Sequence, residues 1–170
     1  MPNWCQNTIE ISGDLQEITD LMYAMKDRGF CEAVIPLGEW DYGKAVDSWG
    51  TKWDLQIEDD CFDVVKNEDG TGALFIDANS AWAPPIPVIE DLSQKFEVEA
   101  WWVEPGMGFC GQYLNGKMTE WEDAGDIDGI PEEDRDILAD DLRSWLEEEK
   151  EWNAMNRVDW DNEGGIENAE

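Results

Sequence analysis

Carboxylates are the only side chains in this sequence numerous and clustered enough to do chemistry. Glu58, Asp59, Asp60 and Asp63 form one group, Glu133, Asp136, Asp140 and Asp141 a second, and Glu147, Glu148, Glu149 and Glu151 a third. Groups of this kind could exchange protons, hold calcium, or present negative charge to a basic surface. The chain has no histidine, which excludes His-based triads, imidazole acid–base catalysis and His metal sites. Asp69-Gly70-Thr71-Gly72 lacks the lysine and the strand-to-helix setting of a phosphate-binding loop. Among 42 acidic residues, adjacent pairs such as Asp59-Asp60 arise by chance, so no catalytic residue is assigned and the protein is not expected to be an enzyme.

Asp159, Asp161, Glu163, Gly164, Ile166, Glu167 and Glu170 fall at positions 1, 3, 5, 6, 8, 9 and 12 of a calcium-loop pattern. The fifth position is Glu and the sequence stops where the exiting helix would start, so no metal and no cofactor are expected. Cys5, Cys31, Cys61 and Cys110 form no C-x-x-C pair and read as reduced, small apolar residues. With no signal-like start and no apolar run of membrane-spanning length, a cytoplasmic protein is expected.

The remaining chemistry is charge presentation. The formal net charge is −31, with residues 120–170 holding 20 acidic and 4 basic side chains. Such a surface repels nucleic acid and anionic membranes and attracts basic proteins. Solubility or tolerance of salt is the plainer account of the same acidity. Duplex DNA carries one charge per ~1.7 Å of axis, whereas a helix over residues 132–157, ~39 Å long with six net charges, is too sparse to imitate it alone. The whole globule, ~40 Å across, comes close if its charge is concentrated on one face.

The elements that would position these groups follow from periodicity. Residues 4–12 alternate as a strand; Leu15–Arg28 carries an apolar helical face and stops at Gly29. A long loop is expected over 30–50 after a short extended 33–35, then strands at 53–57, 62–66 and 72–78, the last two joined by the Asn67–Gly70 turn. A helix follows Pro84-Pro85 through Val88, Ile89, Leu92 and Phe96, then strands at 98–103, 109–114 and 117–121, with Asn115-Gly116 as a type I′ turn. The order suggests an α+β, ferredoxin-like βαββαβ sheet, two helices on one face and an extra hairpin over residues 1–121. A linker over 122–130, an amphipathic acidic helix over 131–157 and an acidic tail over 158–170 complete the expected organisation. The helix carries an apolar stripe with Leu142, Trp145 and Trp152. In Trp49-Gly50-Thr51-Lys52-Trp53-Asp54, Trp49 and Trp53 are expected in the core and Lys52 paired with Asp54 or a neighbour; aromatic walls around Lys52 and Asp54 are the binding alternative.

Four segments together resemble the YubB-type ferredoxin-like family of bacteriophage and plasmid proteins: Met1-Pro2-Asn3-Trp4-Cys5-Gln6-Asn7, Trp49–Asp54, Ala81-Trp82-Ala83-Pro84-Pro85 and Glu104-Pro105-Gly106-Met107-Gly108-Phe109. The resemblance covers roughly residues 1–117, implies a ferredoxin-like fold and a mobile-element origin, and carries no catalytic residue. With the charge, it leads to the expectation of an inhibitor that occupies the nucleic-acid site of a basic, nucleic-acid-binding host protein, without binding nucleic acid or membranes itself. The alternative is a non-enzymatic assembly module that docks through Leu142, Trp145 and Trp152 on a partner or a second copy, as a homodimer.

Overall fold

The computed structural model describes residues 3–157, so the calcium-like pattern and the tail at 158–170 lie outside the described residues. Strand β1, Trp4–Asp14, alternates as expected, with Cys5, Asn7, Ile9 and Ile11 buried. Its last residue caps helix α1, Leu15–Arg28: the Asp14 carboxylate accepts from the Gln16 and Glu17 amides at 3.0 and 3.1 Å. Gly29 ends α1 at φ 105°, a conformation that a side chain would strain.

The expected loop over 30–50 instead contains two short helices, α2 at Phe30–Val34 and α3 at Tyr42–Trp49. The α2 turn has no cap of its own at Gly29; Asp54 caps it from a distance, accepting from the Cys31 and Glu32 amides at 2.8 and 3.0 Å. Helix α3 is capped by Asp41 and closed by Gly50 in the left-handed region. The expected strand at 53–57 is reduced to one bridge, Gln56 to Asn79, before a 3-10 turn at Asp59–Cys61.

The remaining strands are β2 Phe62–Lys66, β3 Thr71–Ala81, β4 Glu97–Glu104, β5 Phe109–Leu114 and β6 Lys117–Trp121, with helix α4 at Ile86–Leu92 between β3 and β4. Positive φ at both Asn115 and Gly116 gives the tight β5–β6 turn its I′ twist. The six strands form one antiparallel sheet in the order β2-β3-β1-β4-β5-β6. On one face, Ile9, Ile11, Leu74, Ile76 and Trp102 join Ile18, Met25, Phe30, Trp49 and Ile89 from the helices in the main core. Trp102 lies so close to β5 that a Cβ at Gly111 would sit 2.5 Å from its ring.

Among the described residues, the opposite face is covered over β5, β6 and the end of β4. There Val103, Cys110 and Trp121 pack with Ala124, Ile127, Ile130, Leu138, Leu142 and Leu146 in a second cluster. Residues 122–130, expected as a linker, are therefore packed chain. The C-terminal helix does not begin at 131: a 3-10 segment spans Glu132–Ile137, and α5 spans Asp140–Arg157. The break has a visible cause. The buried Gln112 amide donates to the Ile137 carbonyl at 2.7 Å and accepts from the Ala139 amide at 2.8 Å, clamping Leu138 in extended backbone between two helical turns.

All four cysteines are unbridged. Burial pushes the thiols of Cys5 and Cys110 up to about 12 and raises that of Cys31, with Asp54 adding to the last effect. Cys61 alone is partly exposed. Iodoacetamide at pH 8 should therefore modify Cys61 in the native protein and all four residues in urea, as counted by mass spectrometry; rapid native labelling at Cys5, Cys31 or Cys110 would contradict this packing.

Candidate acidic binding face

The part of the sheet that the C-terminal segment leaves open is acidic because of strand register. Two-residue alternation buries Ile9, Ile11, Leu74 and Ile76 on the helical side, so their neighbours must point the other way. Asp63 of β2 pairs with Phe75 of β3, Phe75 with Glu10 of β1, and Glu10 with Glu99 of β4, giving one row across four strands. The next row pairs Asp77, Thr8 and Trp101, with the Thr8 hydroxyl and the Asp77 carboxylate 2.6 Å apart. No position of β1–β4 on this face is Lys or Arg; the nearest basic strand residue on the same face is Lys117, on β6 at the opposite edge.

A groove of about 450 Å3 lies here, lined by Thr8, Glu10, Phe75, Glu99, Trp101 and Leu114 of the sheet and by Leu138 to Asp141 at the start of α5. Its floor is aromatic and its walls are carboxylates. Glu10 and Glu99 face each other directly, an arrangement that places Cβ atoms about 5 Å apart and costs stability for like charges. Neither makes a salt bridge among the described residues, where the ion pairs are Lys26–Asp59, Lys95–Glu17 and Lys150–Asp128.

The acidic residues singled out from sequence divide accordingly. Asp63, Asp140 and Asp141 come to this face or its rim. Glu58, Asp59 and Asp60 sit at the 3-10 turn before β2, where Asp59 meets Lys26 at 3.0 Å. Glu133 and Asp136 are exposed on the 3-10 segment before α5. On α5, Glu147, Glu148 and Glu151 are exposed and Glu149 is half-buried. Glu10, Asp77, Glu97 and Glu99 belong to no acidic run and carry no signal of that kind; alternation with buried Ile9, Ile11, Ala78, Val98 and Ala100 is the signal that marks them. The apolar stripe also divides: Leu142 is fully buried and Trp145 packs on the second cluster, while Trp152 remains 59% exposed.

At the start of β1 a second feature appears. Lys52 does not pair with Asp54, whose carboxylate is committed to the α2 and Leu55 amides. Its ammonium lies 4.8 Å from the Trp53 ring centroid, 5.0 Å from that of Trp82 and 6.0 Å from that of Tyr42. Trp49 is buried as expected, and Trp53 only partly.

Among the described residues, no group of three or more His, Cys, Asp or Glu is arranged to hold a metal ion, and no helix is long and apolar enough to cross a membrane.

The molecule is thus an α+β protein whose antiparallel sheet carries helices on one face and an acidic, half-open surface on the other. A family model described as "Ferredoxin-like domain in Api92-like protein" matches residues 48–153, and the chain belongs to that family. No curated protein and no solved structure matches it. The match extends well beyond residue 117 into α5, so the C-terminal segment that the sequence resemblance left outside belongs to the family domain. It begins after β1 and α1, although β1 lies between β3 and β4 within the sheet.

Two predictions follow from this geometry. Replacing Glu99 by Gln should stabilise the protein by about 0.5 kcal/mol in urea denaturation at low salt, with the gain shrinking at high salt; unchanged or lower stability would mean the facing carboxylates do not repel. The isolated segment 48–153 lacks the strand that joins β3 to β4, so its amide spectrum should be collapsed, and adding a peptide of residues 1–47, which supplies β1, α1, α2 and the start of α3, should restore dispersion. A well-dispersed spectrum of 48–153 alone would contradict the dependence on β1.

Proposed function

We propose that this protein captures a basic, nucleic-acid-binding partner, such as a nuclease or another component of host defence, and blocks its DNA or RNA site by presenting carboxylates in place of phosphates. The supporting observation is the open sheet face, where Asp63, Glu10 and Glu99 cross four strands, Asp77 lies in the next row, Asp140 and Asp141 form the rim, and no basic side chain intervenes on β1–β4. Strands ~4.8 Å apart and same-face residues ~6.8 Å apart set a two-dimensional array in which Asp63, Glu10 and Glu99 occupy three of the four positions of one row and Asp77 lies in the next. A rigid sheet holds that grid in place without the entropy cost of ordering it on binding. The reading also takes the β1-α1-β2-β3-α4-β4 succession as the ferredoxin-like βαββαβ unit, supported by the strand order β2-β3-β1-β4, and takes the origin to be a bacteriophage or plasmid of the YubB-type group, supported by the four sequence segments. The setting is the host cytoplasm.

A second reading rests on Trp152 and Met155, 59% and 67% exposed at the end of α5. Here a partner or second copy docks on the distal helix, while Leu142 and Trp145 serve the protein's own fold.

The test is capture of partners from host lysate at low and then moderate salt, with duplex DNA as competitor. Under the mimicry reading a nucleic-acid-binding protein is retained, DNA displaces it, and the variant Glu10→Gln/Glu99→Gln/Asp140→Asn/Asp141→Asn binds it on the order of tenfold to 100-fold more weakly. Trp152→Glu should leave that affinity unchanged. Loss on Trp152→Glu with no effect of the quadruple variant would establish the distal-helix reading instead. Retention that disappears at moderate salt together with all selectivity would reduce the acidic face to a generic polyanion.

A further inference from the structure

The Lys52 site calls for an explanation that the acidic face does not give. In a chain of net charge −31, this ammonium makes no salt bridge among the described residues; its near neighbours are three aromatic rings. Ring faces attract a cation through their quadrupole, and more strongly when water is partly excluded, as it is at the half-buried Lys52.

The rings come from separate parts of the chain and are held in place by backbone bonds. Tyr42 opens α3 and is 47% exposed. Trp53 stacks at a tilt on Trp4, the first residue of β1, with centroids 6.2 Å apart. Trp82 has φ 73°, a left-handed conformation that strains a bulky residue. It is held there by its amide, which donates to the Asn3 carbonyl at 2.9 Å, and by the neighbouring Thr51 hydroxyl, which donates to the Ala81 carbonyl at 3.0 Å. In this conformation the Trp82 ring centroid lies 5.0 Å from the ammonium, and the residue is 42% exposed, where a core tryptophan would be covered.

We infer that Tyr42, Trp53 and Trp82 form a receptor for an alkylammonium group, namely the end of a lysine side chain presented by a partner, and that Lys52 is its internal occupant. The site already solvates such a group in the geometry an incoming lysine would need. Exposure of the Tyr42 and Trp82 rings gives the incoming group access, and the overall negative charge raises its local concentration. The ring contacts that Lys52 gives up on swinging into water are regained by the incoming ammonium, so the exchange costs mainly the freedom lost by the incoming group. A lysine-bearing surface is what the basic-partner reading requires, so the identity of the carrier rests on that reading; capture of an ammonium does not.

The test uses the whole chain and N-acetyl-lysine methylamide as the probe, with N-acetyl-norleucine methylamide as the uncharged control, followed by indole N–H shifts at constant ionic strength. Lys52→Gln empties the site. If Lys52 fills it about 80% of the time, the variant should bind the lysine probe about fivefold more tightly than the native chain. The shifts should be largest at Trp53 and Trp82 and absent with the norleucine control. Adding Tyr42→Ala to Lys52→Gln removes one ring at an exposed helix start and should weaken binding severalfold without altering the melting curve. Glu10→Gln/Glu99→Gln should leave the small-probe affinity unchanged, which separates this site from the acidic face. Equal binding by native and Lys52→Gln chains, or equal shifts from the uncharged control, would overturn the inference.

Discussion

Everything else in the molecule depends on β1 being paired along both edges. Eleven register pairs join it to β3 and seven to β4, so it links the two hairpins into one sheet. Its inward side chains leave no choice of face: Cys5, Asn7, Ile9 and Ile11 are all buried, and a slip of one residue would put Glu10 into the main core. Asn7 can be inward because its amide is fully engaged, donating to the carbonyls of Cys5 and Ala78 and to the Ser80 hydroxyl. The buried face thus fixes the register, and the register fixes which carboxylates stand side by side on the other face.

That coupling explains how so acidic a chain folds. Charge spread at random would place carboxylates against the core, where desolvation is prohibitive; alternation sends them outward at every second residue. Among the described residues, the C-terminal segment then covers β5, β6 and the end of β4, where the outward residues are Cys110, Trp121 and Val103, and leaves β1 and β3 open, where they are Thr8, Glu10 and Asp77. Lys150 and Arg135 belong to that covering layer: Lys150 meets Asp128 at 2.9 Å, and Arg135 donates to the Ile130 carbonyl. Part of the scarce positive charge therefore holds the layer in place and leaves the open face unneutralised.

The sequence was most legible where structure is local. Helix α1 announces itself through Asp14, an apolar face and Gly29; the β5–β6 hairpin through Asn115-Gly116. Helix α2 was not legible because its cap, Asp54, lies 23 residues away from the Cys31 amide it accepts from. The expected start of α5 falls too early because an acidic first turn after Pro131 satisfies every local rule for a helix, and only Gln112, 25 residues before Ile137, breaks it at Leu138. Residues 122–130 read as a linker since Ala124, Ile127 and Ile130 are apolar residues diluted among acids, yet three side chains suffice to seat a segment on a sheet. The acidic face was half legible: runs such as Asp140-Asp141 drew attention, while Glu10 and Glu99 acquire meaning only from a register that joins residues far apart in sequence.

Net charge alone attracts any cation, and selectivity has to come from arrangement. Under the proposed reading, repulsion between the facing Glu10 and Glu99 in the isolated protein would be relieved by a partner's cation settling between them, and that part would be recovered on binding. An aromatic site works by different physics: its attraction for an ammonium survives at salt concentrations that screen exposed carboxylates, because the rings also exclude water. Trp4, which stacks on Trp53, lies on the open side of β1 by the same alternation that places Glu10 there, so the two features stand along one strand. A partner whose lysines are spaced to meet both would be held by a salt-sensitive contact that speeds its approach and a salt-resistant one that slows its departure, and a flexible polycation that lacks the spacing would gain only the first.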